Sequence, residues 1–212
     1  MILAFLHVGN EATLPTLMVD SVRRAMPGLA IVQLTDEATS AVPGVNDIIR
    51  KDYDGKLMTF RMRHLAGLEE EFITLDTDVI VRRDLRPVFD ASFDVALTMR
   101  ETPVTSINGV DLAKEMPYNT GLMFSRNPRF WQEAYAVLMR LDPDTHRWWG
   151  DQLSVKVVAE SGRYVVKGLP CDEYNYTPRN RLDMPETACM IHYKGERKQW
   201  MIKNGQLARV GE

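Results

Sequence analysis

Apolar and polar positions along the chain switch between two spacings, and the switching predicts alternating strands and helices. Ile2 to Leu6 is an unbroken apolar run that Val8-Gly9-Asn10 ends in a turn, the pattern of a short buried strand. Leu14, Leu17, Met18, Val22 and Ala25 repeat at helical spacing, placing a helix over Pro15 to Met26 that Pro27-Gly28 stops. Leu29 to Leu34 reads as a second strand, Asp47 to Arg50 as a weaker one, and Leu57 to Leu68 as a helix. Phe72 to Leu75 is another buried strand, running directly into Asp76-Thr77-Asp78. This β-α-β rhythm implies an α/β domain: a mainly parallel sheet with helices on both faces.

The second half is more mixed. Asp94 to Met99 alternates like a strand, and Tyr118-Asn119-Thr120-Gly121 reads as a turn leading into a strand over Leu122 to Ser125. Asn127 caps and Pro128 opens a helix carrying Trp131, Ala134, Tyr135, Leu138 and Leu141. Asp151 to Glu160 is a second short helix, closed by Gly162. Beyond Pro170 the chain is polar, basic and poor in regular pattern. Its Tyr174, Tyr176, Tyr193 and Trp200 favour a segment ordered over a site by a ligand rather than a disordered tail.

With no internal repeat, low-complexity tract or linker, the 212 residues read as one domain, 1–212. A hydrophobic content of 45% and a charged content of 26% exclude wholesale disorder. A net charge of −3 argues against a protein that coats nucleic acid by bulk charge. Nothing approaches a transmembrane segment, and the N-terminal apolar run has no basic flank and stops at His7, unlike a signal peptide. Cys171 and Cys189 match no metal or redox spacing. A reducing, cytoplasmic location is the simplest expectation.

Two segments could carry chemistry. Asp76 and Asp78 stand two residues apart at the carboxyl end of a buried strand, where open α/β sheets bind ligands. Hard oxygen donors at that spacing suit a divalent cation that also holds phosphate oxygens. The competing reading is a turn whose aspartates cap backbone N–H groups. Apolar residues on both sides weigh against it, because buried charges need a strong partner. The second segment runs from His192 to Lys203, with Lys194, Arg197, Lys198 and Lys203 against Glu196 alone. Gly195 would let backbone approach a phosphate and Lys198 would supply a point charge. By itself this segment is also readable as a solvated basic face.

Together the two segments resemble the nucleotide-sugar glycosyltransferases of the Rossmann-like GT-A fold, and among them family 8. Asp76-Thr77-Asp78 matches their Asp-x-Asp, and His192-Tyr-Lys-Gly195-Glu-Arg-Lys198 their His-x-x-Gly-x-x-Lys. Arg61 stands where the family carries an arginine contacting the donor. Asn119-Thr120-Gly121 resembles its Asn-x-Gly strand, and Asp151-Gln152 its Asp-Gln pair beside the transferred sugar. The resemblance runs in order from Ile2 to Trp200. It departs in His7-Val8-Gly9, where many relatives carry an aspartate for uracil, and in Gln199, where the motif usually has proline.

The resemblance implies transfer of a sugar from a nucleoside-diphosphate donor, a UDP-sugar first of all, to a glycan or other acceptor hydroxyl, with retained configuration. It implies Mn²⁺, or Mg²⁺, on Asp76, Asp78 and His192. It places His7, Val8, Asn10, Arg61, Asp76, Thr77, Gly195 and Lys198 at the donor, and Asp151, Gln152 and Asn119 at the reacting sugar. Asp151 is equally readable as a helix cap. The segment 170–203 is expected to close over the donor as a basic lid. Two alternatives stand beside this reading: a nucleotide-sugar binder without turnover, and a haloacid-dehalogenase-like phosphatase with Asp76 as nucleophile.

Overall fold

Short apolar runs become strands buried on both faces, which is what a parallel sheet between two helix layers requires. The computed structural model describes residues 1–100, 109 and 111–210. In chain order the strands are β1 (Ile2–Leu6), β2 (Ala30–Thr35), β3 (Asp47–Arg50), β4 (Phe72–Leu75), β5 (Val79–Val81), β6 (Val95–Met99), β7 (Tyr118–Ser125), β8 (Val166–Pro170) and β9 (Met190–His192). The α-helices are α1 (Thr13–Ala25), α2 (Leu57–Leu65), α3 (Leu112–Glu115), α4 (Pro128–Leu138), α5 (Gly150–Ala159), α6 (Cys171–Tyr174) and α7 (Lys198–Val210).

Seven strands form one sheet in the order β3-β2-β1-β4-β7-β6-β8, and β5 and β9 form a two-stranded sheet. In the large sheet only β7 runs against the rest, pairing antiparallel with β4 and β6. The expected mainly parallel architecture is therefore observed. Along β1, Leu3 and Phe5 join one core, with Val19 and Val22 of α1 and with Met190 and Met201 of the C-terminal segment. Ile2 and Ala4 join the other, with Met62 of α2, Trp131 and Leu138 of α4, and Val155 and Val158 of α5. Successive side chains of β1 thus feed opposite layers.

Three expectations change. Tyr118–Gly121 is not a turn but the first half of β7, all of it buried. Its polar side chains mislead pattern reading because each finds a partner inside: Asn119 Oδ1 accepts from the Gly121 N–H (3.1 Å), and the Thr120 hydroxyl donates to Asp151 (2.8 Å). The chain beyond Pro170 also holds regular structure, in β9 and α7, and it contributes Met190, Ile191, Tyr193 and Met201 to a core. A three-residue strand is too short to register as a period. Finally, Asp151 is not the cap of α5. Trp149 holds that position, and Asp151 lies in the first turn.

The strand order positions the site. From β1 the sheet grows one way through β2 and β3 and the other way through β4, so a crevice opens at the carboxyl ends of β1 and β4. Asp76-Thr77-Asp78 follows β4 at that crevice. Hydrogen bonds from β5 to α1 anchor the next stretch: the Val81 N–H donates to Ser21 Oγ (3.0 Å), which itself donates to the Met18 carbonyl (2.7 Å).

His64, on α2, supplies a test of this packing. It is 1% exposed and packs edge-on against Phe60. Burial, aided by nearby Lys51, lowers its imidazole to about 4. Because the unfolded chain binds the proton near pH 6.5, stability is fully present above that pH and falls as pH drops toward 4. The loss should reach on the order of 3 kcal/mol at most. Urea melts from pH 7 to 4 should show a shallower decline for His64→Leu than for the parent. Equal slopes would place the imidazole in water.

Candidate active site

The crevice encloses about 530 Å³. His7 and Val8 enter it after β1, Arg61 from α2, Asp76, Thr77 and Asp78 after β4, and Asn119 and Thr120 from β7. Asp151 and Gln152 enter from the start of α5, and His192, Gly195 and Lys198 from the C-terminal segment. The structure therefore brings together every residue singled out from sequence except Asn10, which lies exposed and outside the crevice lining. Chain direction explains that exception: Gly9, at φ +107°, turns the backbone away, held by its N–H donating to Thr39 Oγ1 (2.8 Å).

The ladder between β5 and β9 sets the centre. Val79 pairs with His192, and the Tyr193 N–H donates to the Asp78 carbonyl (2.8 Å), so the histidine is delivered beside the Asp-x-Asp turn. His192 Nε2 lies 3.1 Å from Asp78 Oδ1 and 3.6 Å from Asp76 Oδ2. One donor atom from each of the three residues lies within 4.8 Å of the others, a spacing one cation can span.

Hydrogen bonding behind the histidine fixes which nitrogen faces that space. The Thr98 hydroxyl gives its proton to the Asn119 carbonyl (2.7 Å), so its oxygen accepts from Asn175 Nδ2 (2.9 Å). Asn175 Oδ1 then faces His192 Nδ1 at 2.7 Å and accepts its proton. Nε2 is left facing two carboxylates: protonated, it hydrogen-bonds to Asp78, and with a cation in the proton's place it would present its lone pair. Gly121 makes room for the ring: a Cβ there would sit 2.4 Å from His192 Cε1.

Charge is distributed unevenly around these groups. Burial pushes the Asp78 carboxyl up, but its hydrogen bond to His192 and the charges of His192 and Lys198 outweigh that and hold it at about 2. Lys198 Nζ is 3.4 Å from Asp78 Oδ2 and about half exposed. Asp76 keeps a third of its side-chain surface (32%), yet the crevice walls desolvate the carboxyl enough to raise it against the pull of Arg61 and His192. Burial also lowers the His7 imidazole.

Arg61 ties the two ends of the site. Its Nη1 is 3.0 Å from Asp76 Oδ1 and 3.1 Å from Asp151 Oδ2, and its Nη2 donates to the Thr120 carbonyl (2.7 Å). Asp151, 2% exposed, accepts from Arg61 and the Thr120 hydroxyl on Oδ2, and from the Gln152 N–H (2.9 Å) on Oδ1. Gln152 Oε1 in turn accepts from Arg100 Nη2 (2.7 Å).

Sequence reading missed Asn175 and Arg100. Nothing marks Asn175 or Arg100 along the chain, since their partners lie far away in sequence. Lys194 is counted there within the basic segment His192 to Lys203, at a position the His-x-x-Gly-x-x-Lys motif leaves free, and so receives no role of its own. Burial lowers its ammonium to about 8, with neighbouring Arg100 adding in the same direction.

No protein-family model matches the sequence, and no curated protein does. Solved structures do. The galactosyltransferase LgtC, in complex with donor and acceptor sugar analogs, aligns at a TM-score of 0.66 and 14% identity, over 100% of this chain and 96% of LgtC. The glycosyltransferase GlyE of Streptococcus pneumoniae TIGR4 aligns at 0.60 and 17%, over 99% of this chain and 64% of GlyE. The bifunctional glycosyltransferase WbbM, in its apo form, aligns at 0.60 and 15%, over 96% of this chain and 49% of WbbM. The chain has the GT-A fold. Within the GT-A fold the crevice lies at the strand ends that carry Asp76 and Asp78.

The histidine's support gives a direct test. Asn175→Leu removes the acceptor that fixes His192, and calorimetry should show Mn²⁺ binding about tenfold weaker or worse. Gly121→Ala should weaken it too, by displacing the ring. Parent-like affinity in both variants would separate His192 from metal binding.

Proposed function

We propose that this chain is a metal-dependent, retaining glycosyltransferase that moves a sugar from a nucleoside-diphosphate donor, a UDP-sugar, to an acceptor hydroxyl. The observation that carries the reading is the convergence of Asp76, Asp78 and His192 on one space, with Lys198 on one side and Asp151-Gln152 on the other, in a GT-A fold. The transferase activity named for LgtC, GlyE and WbbM supports it. A phosphatase would carry its Asp-x-Asp on the first strand of a different fold; here the motif follows β4. Free Cys171 and Cys189 suit a reducing, cytoplasmic setting. Among the described residues no helix is long and apolar enough to cross a membrane.

Asp76, Asp78 and His192 would hold Mn²⁺ or Mg²⁺. When bound, such an ion supplies Lewis-acid stabilisation of the diphosphate as it leaves. The chain's own groups do the rest. Lys198, half exposed at the start of α7, reaches toward the diphosphate as a mobile positive charge. Gly195, at φ +61°, bends the backbone toward the crevice, and His7 and Val8 wall the nucleotide end. Thr77 follows Asp76 at the donor, and Asn119 faces the sugar.

Asp151 has both oxygens engaged by Arg61, Thr120 and its own helix, so it is a positioned acceptor rather than a free nucleophile. That favours a front-side displacement. The acceptor oxygen bonds to the anomeric carbon as the carbon–phosphate-oxygen bond breaks, and the hydroxyl proton passes to the leaving phosphate. The segment 170–203 would close over the donor through residues 194–200, since 188–193 already pack in the core.

Calorimetry with UDP, GDP, ADP and dTDP, each with and without Mn²⁺, tests the donor. One of them should bind with a clear manganese requirement, and Asp78→Ala should abolish that manganese-dependent binding while leaving the fold intact by circular dichroism. Asp151→Asn should lower the turnover of donor hydrolysis roughly hundredfold with donor affinity within about twofold of the parent. A binder without turnover would show the first result and no hydrolysis at all. Metal-independent binding in the parent would reject the metal.

A further inference from the structure

Of the cations lining the crevice, Arg100 and Lys194 meet no carboxylate within ion-pair distance among the described residues. Arg61 faces Asp76 and Asp151, and Lys198 faces Asp78. Arg100 spends its guanidinium on neutral groups: Nη1 donates to the Tyr118 carbonyl (2.8 Å) and to the Met116 carbonyl, and Nη2 to Gln152 Oε1 (2.7 Å). The Lys194 ammonium has no hydrogen-bond or ion-pair partner among the described residues, and Asp76 and Asp78 pull on it only from beyond contact. Asp151 acts on Arg100 only from beyond ion-pair distance, and burial keeps the neighbouring Cys171 thiol protonated and uncharged. Both cations line the crevice.

Two neighbouring positive charges in a half-buried corner repel each other, and folding gains nothing from bringing them together. The arrangement becomes favourable once an anion arrives, through charge-assisted hydrogen bonds to a fork and a point charge. Its location is specific. Arg100 holds Gln152, next to Asp151, whereas Lys198 pairs with Asp78. The corner therefore adjoins the reacting sugar rather than repeating the diphosphate contact.

We propose that Arg100 and Lys194 form an anion subsite beside Asp151 and Gln152 that binds a carboxylate or phosphate carried by the sugar substrate. The proposal rests on the transferase reading for which molecule fills the crevice. Two sources share this chemistry: a hexuronate on the donor, or an acidic or phosphorylated sugar as acceptor.

Matched pairs distinguish them. With Mn²⁺ present, UDP-glucuronate is compared with UDP-glucose as a donor for hydrolysis. With UDP-glucose as donor, a glucuronate-terminated disaccharide and glucose 6-phosphate are compared with a glucose-terminated disaccharide as acceptors. The parent should prefer the anionic member of one pair at least tenfold in kcat/KM, and the pair that shows it identifies the source. Lys194→Gln should reduce that preference about tenfold, and Lys194→Arg should restore most of it. Thermal melts check that both variants fold. A parent that binds nucleoside diphosphate yet shows no anionic preference in either pair overturns the subsite, as does a preference untouched by Lys194→Gln. If the parent binds no nucleoside diphosphate, the transferase reading fails instead. The subsite is then decided by calorimetry with inorganic phosphate, which should bind about tenfold more weakly to Lys194→Gln than to the parent. Equal phosphate affinity overturns it.

Discussion

A buried guanidinium holds this site together. Arg61 is 6% exposed, yet it meets a carboxylate after β4, a carboxylate at the start of α5 and a carbonyl of β7. Asp76, Asp78 and Asp151 line one crevice, and without a fixed cation between them their mutual repulsion would spread the strand ends that carry them. The same demand shapes α2. Seven of its nine residues are buried, including Thr59, Arg61 and His64, because the helix has to carry a charge into the interior. The buried guanidinium and the weak amphipathic pattern of its helix have one cause.

A second constraint acts at the other carboxylate. The Asp-x-Asp turn gains its histidine from a strand more than a hundred residues away, and only the short β5–β9 ladder fixes the register between them. A slip by one residue would turn His192 to the opposite face and bring a neighbour in its place. Backbone pairing thus sets where the ring is, the chain from Asn119 through Thr98 and Asn175 sets which nitrogen it presents, and Gly121 sets how close it comes. Three separate segments must be in place before the cluster has a defined geometry.

These dependencies explain what could be read from sequence. The buried strands β1, β2 and β4, the helices α1, α4 and α5, and the motif residues Asp76, Asp78, His192 and Lys198 announce themselves locally, by apolar runs, caps or spacing. The first half of β7 does not, because Asn119 and Thr120 are polar residues whose partners are invisible along the chain. Strands β5 and β9 are three residues each, below the length at which a period shows. Asn175 and Arg100 act through contacts 17 and 52 residues away in sequence, so no local pattern could single them out. Asp151 is readable as a cap along the chain, and only the fold shows Trp149 in that position and Arg61 and Thr120 against the Asp151 carboxylate.

The entry into α5 shows how site geometry and backbone cost are linked. A Cβ at Gly150 would lie 2.4 Å from Leu138 Cδ1 and 2.5 Å from the Thr145 carbonyl oxygen, so the first turn of α5 seats directly on α4 and the loop before it. That close seating is what drives Asp151 inward to Arg61. The chain must reverse sharply to arrive there, and Trp149 absorbs the reversal at φ +69°, alone among the described non-glycine residues in having a positive value. A bulky residue in that region costs on the order of 1 kcal/mol or more. Glycine at 149 would remove the cost, but it would also remove a half-exposed indole that stands with Trp148 at the wall of the crevice. The strain therefore sits where it places a large apolar face beside Asp151 and Gln152, at the wall of the crevice.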